Sequence, residues 1–264
     1  MRLFRADLTL HGILVFSSEV RPMIYASDDG NDMGSGSYIS TSPYVHNYPV
    51  MYGLMGKPSE AYFVIPSLHE AYYTDRKARG QGLRYTSVKR MIDDFVSGKD
   101  GAFYAFPLIP KSFNVSSFLF SAESWSYVVP TRGGLKNVFP RLTSYSAIMP
   151  NSKFMTFIAV NGDARLPRYI RIGKKRWGLF KVEYEEIRIE RVERRRDAVS
   201  SIPVNRQDAQ TFGFRTKSFT KILETPNLGE GEIGWATFEE CNVFVGRTEV
   251  GGMRVELCLP LPSS

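Results

Sequence analysis

The chain has 264 residues, 43% of them hydrophobic, with a formal net charge of +7, two cysteines and three histidines. That size and apolar content suffice for a full core and exclude wholesale disorder, while two cysteines are too few for the disulfide framework of a small secreted domain. No apolar run approaches the ~20 residues of a membrane-spanning helix, and the short N-terminal run follows Arg5 and Asp7 without a cleavage motif. A cytoplasmic protein with no membrane partner is expected.

In chain order, residues 4–10 alternate Phe4, Ala6, Leu8, Leu10 against Arg5, Asp7, Thr9, which predicts a half-buried strand that turns fully apolar at 13–16. Residues 25–37 are rich in Gly, Asp and Ser, and predict a mobile acidic loop over 27–37. The acidic spacing does not fit a calcium loop, and no Glu stands at the closing position. Ser42–Pro43 marks a helix start, but Pro49 sits too deep for a straight helix. A turn followed by a helix near 49–55 is expected. Residues 86–98 place Val88, Met91, Ile92, Phe95 and Val96 on one helical face, with Gly98 as the stop. The preceding segment carries Arg76, Lys77, Arg79 and Arg84 around two glycines, as an exposed basic loop does.

From 101 to 161, short β-like runs alternate with Gly, Pro, Ser or Asn, and residues 130–137, containing Arg132, form a loop between them. Residues 165–196 read as a basic hairpin. One arm is 168–172, the other begins at Gly178, and the tip holds Lys174, Lys175, Arg176 and Trp177. Two further strands flank a turn at 250–252. No repeat or long linker divides the chain, so a single α+β domain spanning 1–264, rich in antiparallel sheet, is expected.

Charge is concentrated in the middle of this pattern. Residues 151–222 carry 17 Lys/Arg against 8 Asp/Glu, residues 1–150 carry 15 against 12, and residues 223–264 carry 2 against 7. A local cationic surplus is the footprint of a polyanion partner, or else a solvated charge-rich face. Glu183, Glu185, Glu186, Glu190 and Glu193 are placed to pair with Arg188, Arg191 and Arg194 across strands, so the later part of the segment reads as solvated structure.

Catalytic chemistry is thin. The sequence shows no zinc motif and no P-loop, and the GxG of residues 79–83 lacks a strand before it and a helix after it. Cys241 and Cys258 lie in apolar runs, where cysteine is usually an inert core residue. No metal or other cofactor is implied. Metal-free RNA cleavage needs only an acid and a base, which His46, Tyr44, Tyr48 or a lysine can supply, a requirement most basic proteins meet. Polyanion binding has more support. Lys174, Lys175 and Arg176 can follow phosphates, Trp177 can stack a base, and Arg79, Arg84 and Arg132 extend the track. For the indole alone, packing into the core from the turn is the weightier reading.

Three blocks in order resemble one family: "TSPYVHNYPVMYGLMG" with Tyr44, His46, Asn47 and Tyr48; "NVFPRLTSYSAIMPNSKFMTFIAV"; and "RYIRIGKKRWGLFKVE" with Arg171 and Lys174 before Trp177. The opening "LTLHGILVFSSEVR" also fits. It is the Cas-five-type (Csc-one) family of type I-D CRISPR Cascade subunits, and the similarity extends loosely over residues 3–185. The resemblance implies a ferredoxin-like (RRM-like) core of the repeat-associated RNA-binding superfamily, and a non-catalytic role capping the 5′ handle of the CRISPR RNA in antiviral defence. It implies as neighbours a repeated backbone subunit and a large nuclease-bearing subunit, with target DNA as a further candidate. Two other classes compete with it: a metal-independent endoribonuclease acting on repeat RNA, and a basic adaptor that touches only protein.

Overall fold

The structure is a computed structural model that describes residues 1–15, 19–25, 34–55, 86–121, 142–173, 177–223 and 231–262. Its centre is four strands in the order β10–β1–β8–β4, with every neighbouring pair antiparallel. These are β1 (Arg2–Leu10), β4 (Phe103–Ala105), β8 (Lys153–Val160) and the 22-residue β10 (Gly178–Val199). Numbered by first use, that is the 4–1–3–2 order of a ferredoxin-like core. Among the described residues, the crossover from β1 to β4 carries two helices, α1 (Asn47–Met55) and α2 (Thr86–Val96). The return from β8 to β10 is made instead through β9 (Tyr169–Ile172), which folds back on β10 as a hairpin. The α+β, antiparallel-sheet-rich class read from the sequence is the class observed.

The sheet extends on the other side of β10. β13 (Ile233–Thr248) pairs with its distal half, and β11 (Val204–Asn205), β12 (Thr216–Leu223) and β14 (Arg254–Leu259) pair with β13. A short helix, α3 (Arg206–Thr211), follows β11. A second, four-stranded sheet runs β2 (Glu19–Tyr25), β3 (Gly34–Ser40), β7 (Leu142–Ile148), β6 (Val115–Ser121), with β3 and β7 parallel. β5 (Ile109–Ser112) borders β8.

Alternation along the central strands sends one set of side chains inward. Ala6, Leu8 and Leu10 of β1, Phe154 and Ile158 of β8, Phe180 and Val182 of β10, and Ile170 and Ile172 of β9 are all buried. The helices close this face. α1 buries Tyr48, Val50, Met51 and Leu54, and its Gly53 lies so close to β9 that a β-carbon would come 2.8 Å from Cγ2 of Ile172.

Several local expectations are corrected. β1 stops at Leu10, and the described part of the apolar stretch after it, residues 13–15, contributes a single bridge, Leu14 to Ile148. α1 starts at Asn47, so Pro49 falls in its first turn, where no helical acceptor waits for the missing N–H. On α2, Ile92 and Phe95 are buried but Val96 is 44% exposed, because one further residue turns it about 100° from Phe95, to the edge of the apolar face. Residues 34–37 belong to β3 rather than to a loop, all four paired with β2 and Ser37 with β7 as well. The rest of the acidic segment, 27–33, lies outside the described residues. Cys241 and Cys258 are buried as expected but not inert thiols, since they form a disulfide. The register explains it: Cys258 faces Val243, two residues from Cys241 on the same side, at a Cα separation of 6.1 Å.

Candidate nucleic-acid interface

The hairpin predicted over 165–196 is present, its two arms paired from Gly178↔Ile172 to Lys181↔Tyr169. Gly173 takes φ +83°, which opens the turn without the strain a side chain would bring. The root is fastened to the end of β1. The amides of His11 and Gly12 donate to the Leu179 carbonyl at 2.7 and 3.3 Å. Gly12 also allows a close approach, since a β-carbon there would stand 2.2 Å from the Trp177 carbonyl oxygen. Trp177 is 41% exposed, so the reading in which its ring fills the core does not hold. Arg171 is exposed on the outward side of β9. Lys174, Lys175 and Arg176, like Arg79, Arg84 and Arg132, lie outside the described residues.

The other motif singled out in the sequence lies inside the molecule. Val45 bridges to Leu108 and introduces α1, where His46 is 1% exposed, Asn47 0% and Tyr48 6%. Nδ1 of His46 accepts the Tyr48 amide at 3.2 Å, so the ring carries its hydrogen on Nε2, which faces the Gly231 carbonyl at 3.4 Å. Tyr44, just before, has its amide bonded to the Ser42 hydroxyl. Asn47 and Tyr48 converge on a residue that sequence reasoning missed, Asp208 of α3. Its carboxylate accepts from Asn47 Nδ2 at 2.7 Å, the Tyr48 hydroxyl at 2.8 Å and the Tyr104 hydroxyl at 2.8 Å. Asn205 caps α3 by accepting from the amides of Gln207 and Asp208, and its Nδ2 donates to Asn47 Oδ1 at 3.2 Å. Burial pushes the Asp208 carboxyl up to about 6, against the opposing pull of its hydrogen bonds from Tyr48, Tyr104 and Asn47. This network ties α1, β4 and α3 together.

The distal half of β10 is basic but largely neutralised. Arg191 and Arg195 meet Glu193, Arg195 also meets Glu256, Glu190 meets Arg247 across to β13, and Arg194 and Arg196 share Glu240 at 3.6 Å. The partners differ from those expected: Glu190 and Glu186 reach across strands to Arg247 and Arg2, Arg194 meets Glu240, and the one expected pair present among the described residues, Arg191–Glu193, runs along the strand. A cavity of about 760 Å³ lies at this end, with Arg215 and Lys217 facing Asp197, Glu239 and Glu240. Its cations and carboxylates are nearly balanced. Among the described residues no group of three or more His, Cys, Asp or Glu could hold a metal ion, and no helix is long and apolar enough to cross a membrane.

The family described as type I-D CRISPR-associated protein Cas5/Csc1 matches residues 1–233. The chain belongs to that family. A Cas5/Csc1 chain thus carries the hairpin with the half-exposed Trp177 and the buried Asn47–Tyr48–Asp208 network. The family implies membership of a CRISPR effector complex. Comparison with curated proteins found no match. Among solved structures, a CRISPR protein from Archaeoglobus fulgidus is 12% identical over 98% of this chain and 100% of its own, with a TM-score of 0.33.

Proposed function

We propose that this Cas5/Csc1 chain is a non-catalytic, cytoplasmic RNA-binding subunit of a type I-D effector complex, which caps the 5′ handle of the CRISPR RNA and anchors the large nuclease-bearing subunit beside a repeated backbone subunit. The observation that carries the reading is the half-exposed Trp177 at the root of a basic turn on a Cas5/Csc1 chain. An indole beside three consecutive cations suits a single strand, because ring faces stack any base and cations follow the phosphates. The endoribonuclease alternative is weaker, since His46, its best candidate base, is buried and engaged on both ring nitrogens.

The test is a gel shift of the full chain with labelled repeat RNA, with and without chelator. Retention of intact RNA is expected. Cleavage in chelator that disappears in His46→Ala at an unchanged thermal midpoint would promote the enzyme. Absence of RNA from both the chain and its purified complex would leave a protein-only adaptor.

A further inference from the structure

We propose that the row Lys153–Thr9–Lys181–Tyr169, which crosses the outward face of the central sheet, binds single-stranded RNA, with the Tyr169 ring as a stacking platform and the two lysines on phosphates. The proposal rests on the RNA-binding reading above and extends it from the hairpin tip to the sheet.

The row follows from the register. Thr9 faces Lys153 on one side and Lys181 on the other, and Lys181 faces Tyr169 on its far side. Directly opposed residues share a face, so all four project the same way, along a line of roughly 14 Å across four strands. Their chain neighbours Phe154, Leu10, Phe180 and Ile170 are 0%, 0%, 0% and 1% exposed, which fixes the row on the outer side. Tyr169 is 58% exposed, and its hydroxyl has no hydrogen-bond partner among the described residues. A strand aromatic left this open offers a bare ring face.

The charges agree. Lys153 and Arg168, the residue before β9, have no carboxylate partner among the described residues. Lys181 meets Glu183 at 2.7 Å, but both side chains are well exposed, at 46% and 69%. Such a pair is worth little and yields readily to a phosphate. Asp7, in the next row, is held by Arg5 and Lys111. A protein partner fits less well, because interface cores are depleted of lysine, whereas cations flanking an open ring are how single strands are held.

The experiment is fluorescence anisotropy of the full chain with labelled single-stranded RNA of repeat sequence. Tyr169→Ala should weaken binding about 5- to 150-fold, the range of one lost base stack, while Tyr169→Phe stays within about twofold because stacking needs only the ring. Lys153→Gln should lower the slope of log affinity against log salt by about 0.7. All three variants should keep the parent's thermal midpoint. Parental affinity in Tyr169→Ala, with strong binding by the unaltered chain, would overturn this surface and leave the RNA reading standing. No binding by the unaltered chain would overturn both. Unchanged RNA binding with loss of a partner subunit would make the row a protein surface.

Discussion

Tyr48 and Asp208, 160 positions apart, meet through a 2.8 Å hydrogen bond inside the molecule, so the best-marked motif of the sequence is completed by a residue no motif announced. Removing the carboxylate leaves Asn47, Tyr48 and Tyr104 without their shared acceptor. Each stranded buried donor costs about 1–3 kcal/mol, so Asp208→Ala should lose roughly 3–5 kcal/mol in urea unfolding. Tyr48→Phe, which removes one bond and strands none of the other donors, should lose about 1–2 kcal/mol.

Stability should also depend on pH through Asp208. Its carboxyl is raised by burial to about 6, so between pH ~4 and ~6 the folded state holds a proton that the unfolded state has released. That proton stabilises the fold below the unfolded value, and the contribution is lost as pH rises through about 6. A shift of about two units corresponds to roughly 3 kcal/mol. Glu186, held low by its hydrogen bond from Arg2, and Glu193, held low by Arg195 and Arg191, act in the opposite sense, but both are solvent-screened. The measurement is therefore a difference: the wild-type curve minus that of Asp208→Asn should fall between pH 4 and 6 and be flat above 7. A flat difference throughout would show that the carboxyl titrates normally.

Residues that face a single environment were the legible ones. Residues 153–160 stand out as an apolar run of strand length, and the arms of the 165–196 hairpin as alternating segments, and they form β8, β9 and the first part of β10. β3 was hidden by its Gly and Ser content, since pairing on both sides supplies backbone hydrogen bonds whatever the propensity. α3 was hidden as well. Its six residues carry no apolar stripe, although Asn205 three positions before Asp208 is a recognisable cap. The partners of Asp208 lie 104 to 161 residues away, and no local pattern reports such a meeting. At the hairpin, the cationic turn was legible in the sequence, but the exposure of Trp177 and of Tyr169 depended on how the root docks on β1.

The Cys241–Cys258 disulfide should be measurable directly. Thiol titration of the unfolded chain should find none before reductant and two after it. Closing a loop of this length constrains the unfolded chain by ~3 kcal/mol, so reduction or Cys258→Ser should lower the thermal midpoint by several degrees. Two thiols found without reductant would show the pair to be a dithiol in the isolated protein.

The turn of the hairpin carries the last prediction. If Lys174, Lys175 and Arg176 contact phosphates, replacing all three with Gln should weaken binding equally for all RNA sequences, because phosphates carry no base identity. Each lost contact removes about 0.7 from the salt slope for a single strand, so the triple variant should lose roughly 2. Trp177→Ala gives the second measurement. With the ring 41% exposed, its removal should cost ~1–3 kcal/mol of RNA affinity and much less stability than the ~3–5 kcal/mol of a core aromatic. Gly12→Ala links the two. A β-carbon 2.2 Å from the Trp177 carbonyl must push the hairpin off its seat, so affinity and thermal midpoint should fall together. An unaltered salt slope in the triple variant, with failure to join the large subunit, would make the turn a protein dock and leave nucleic acid to other surfaces of the chain.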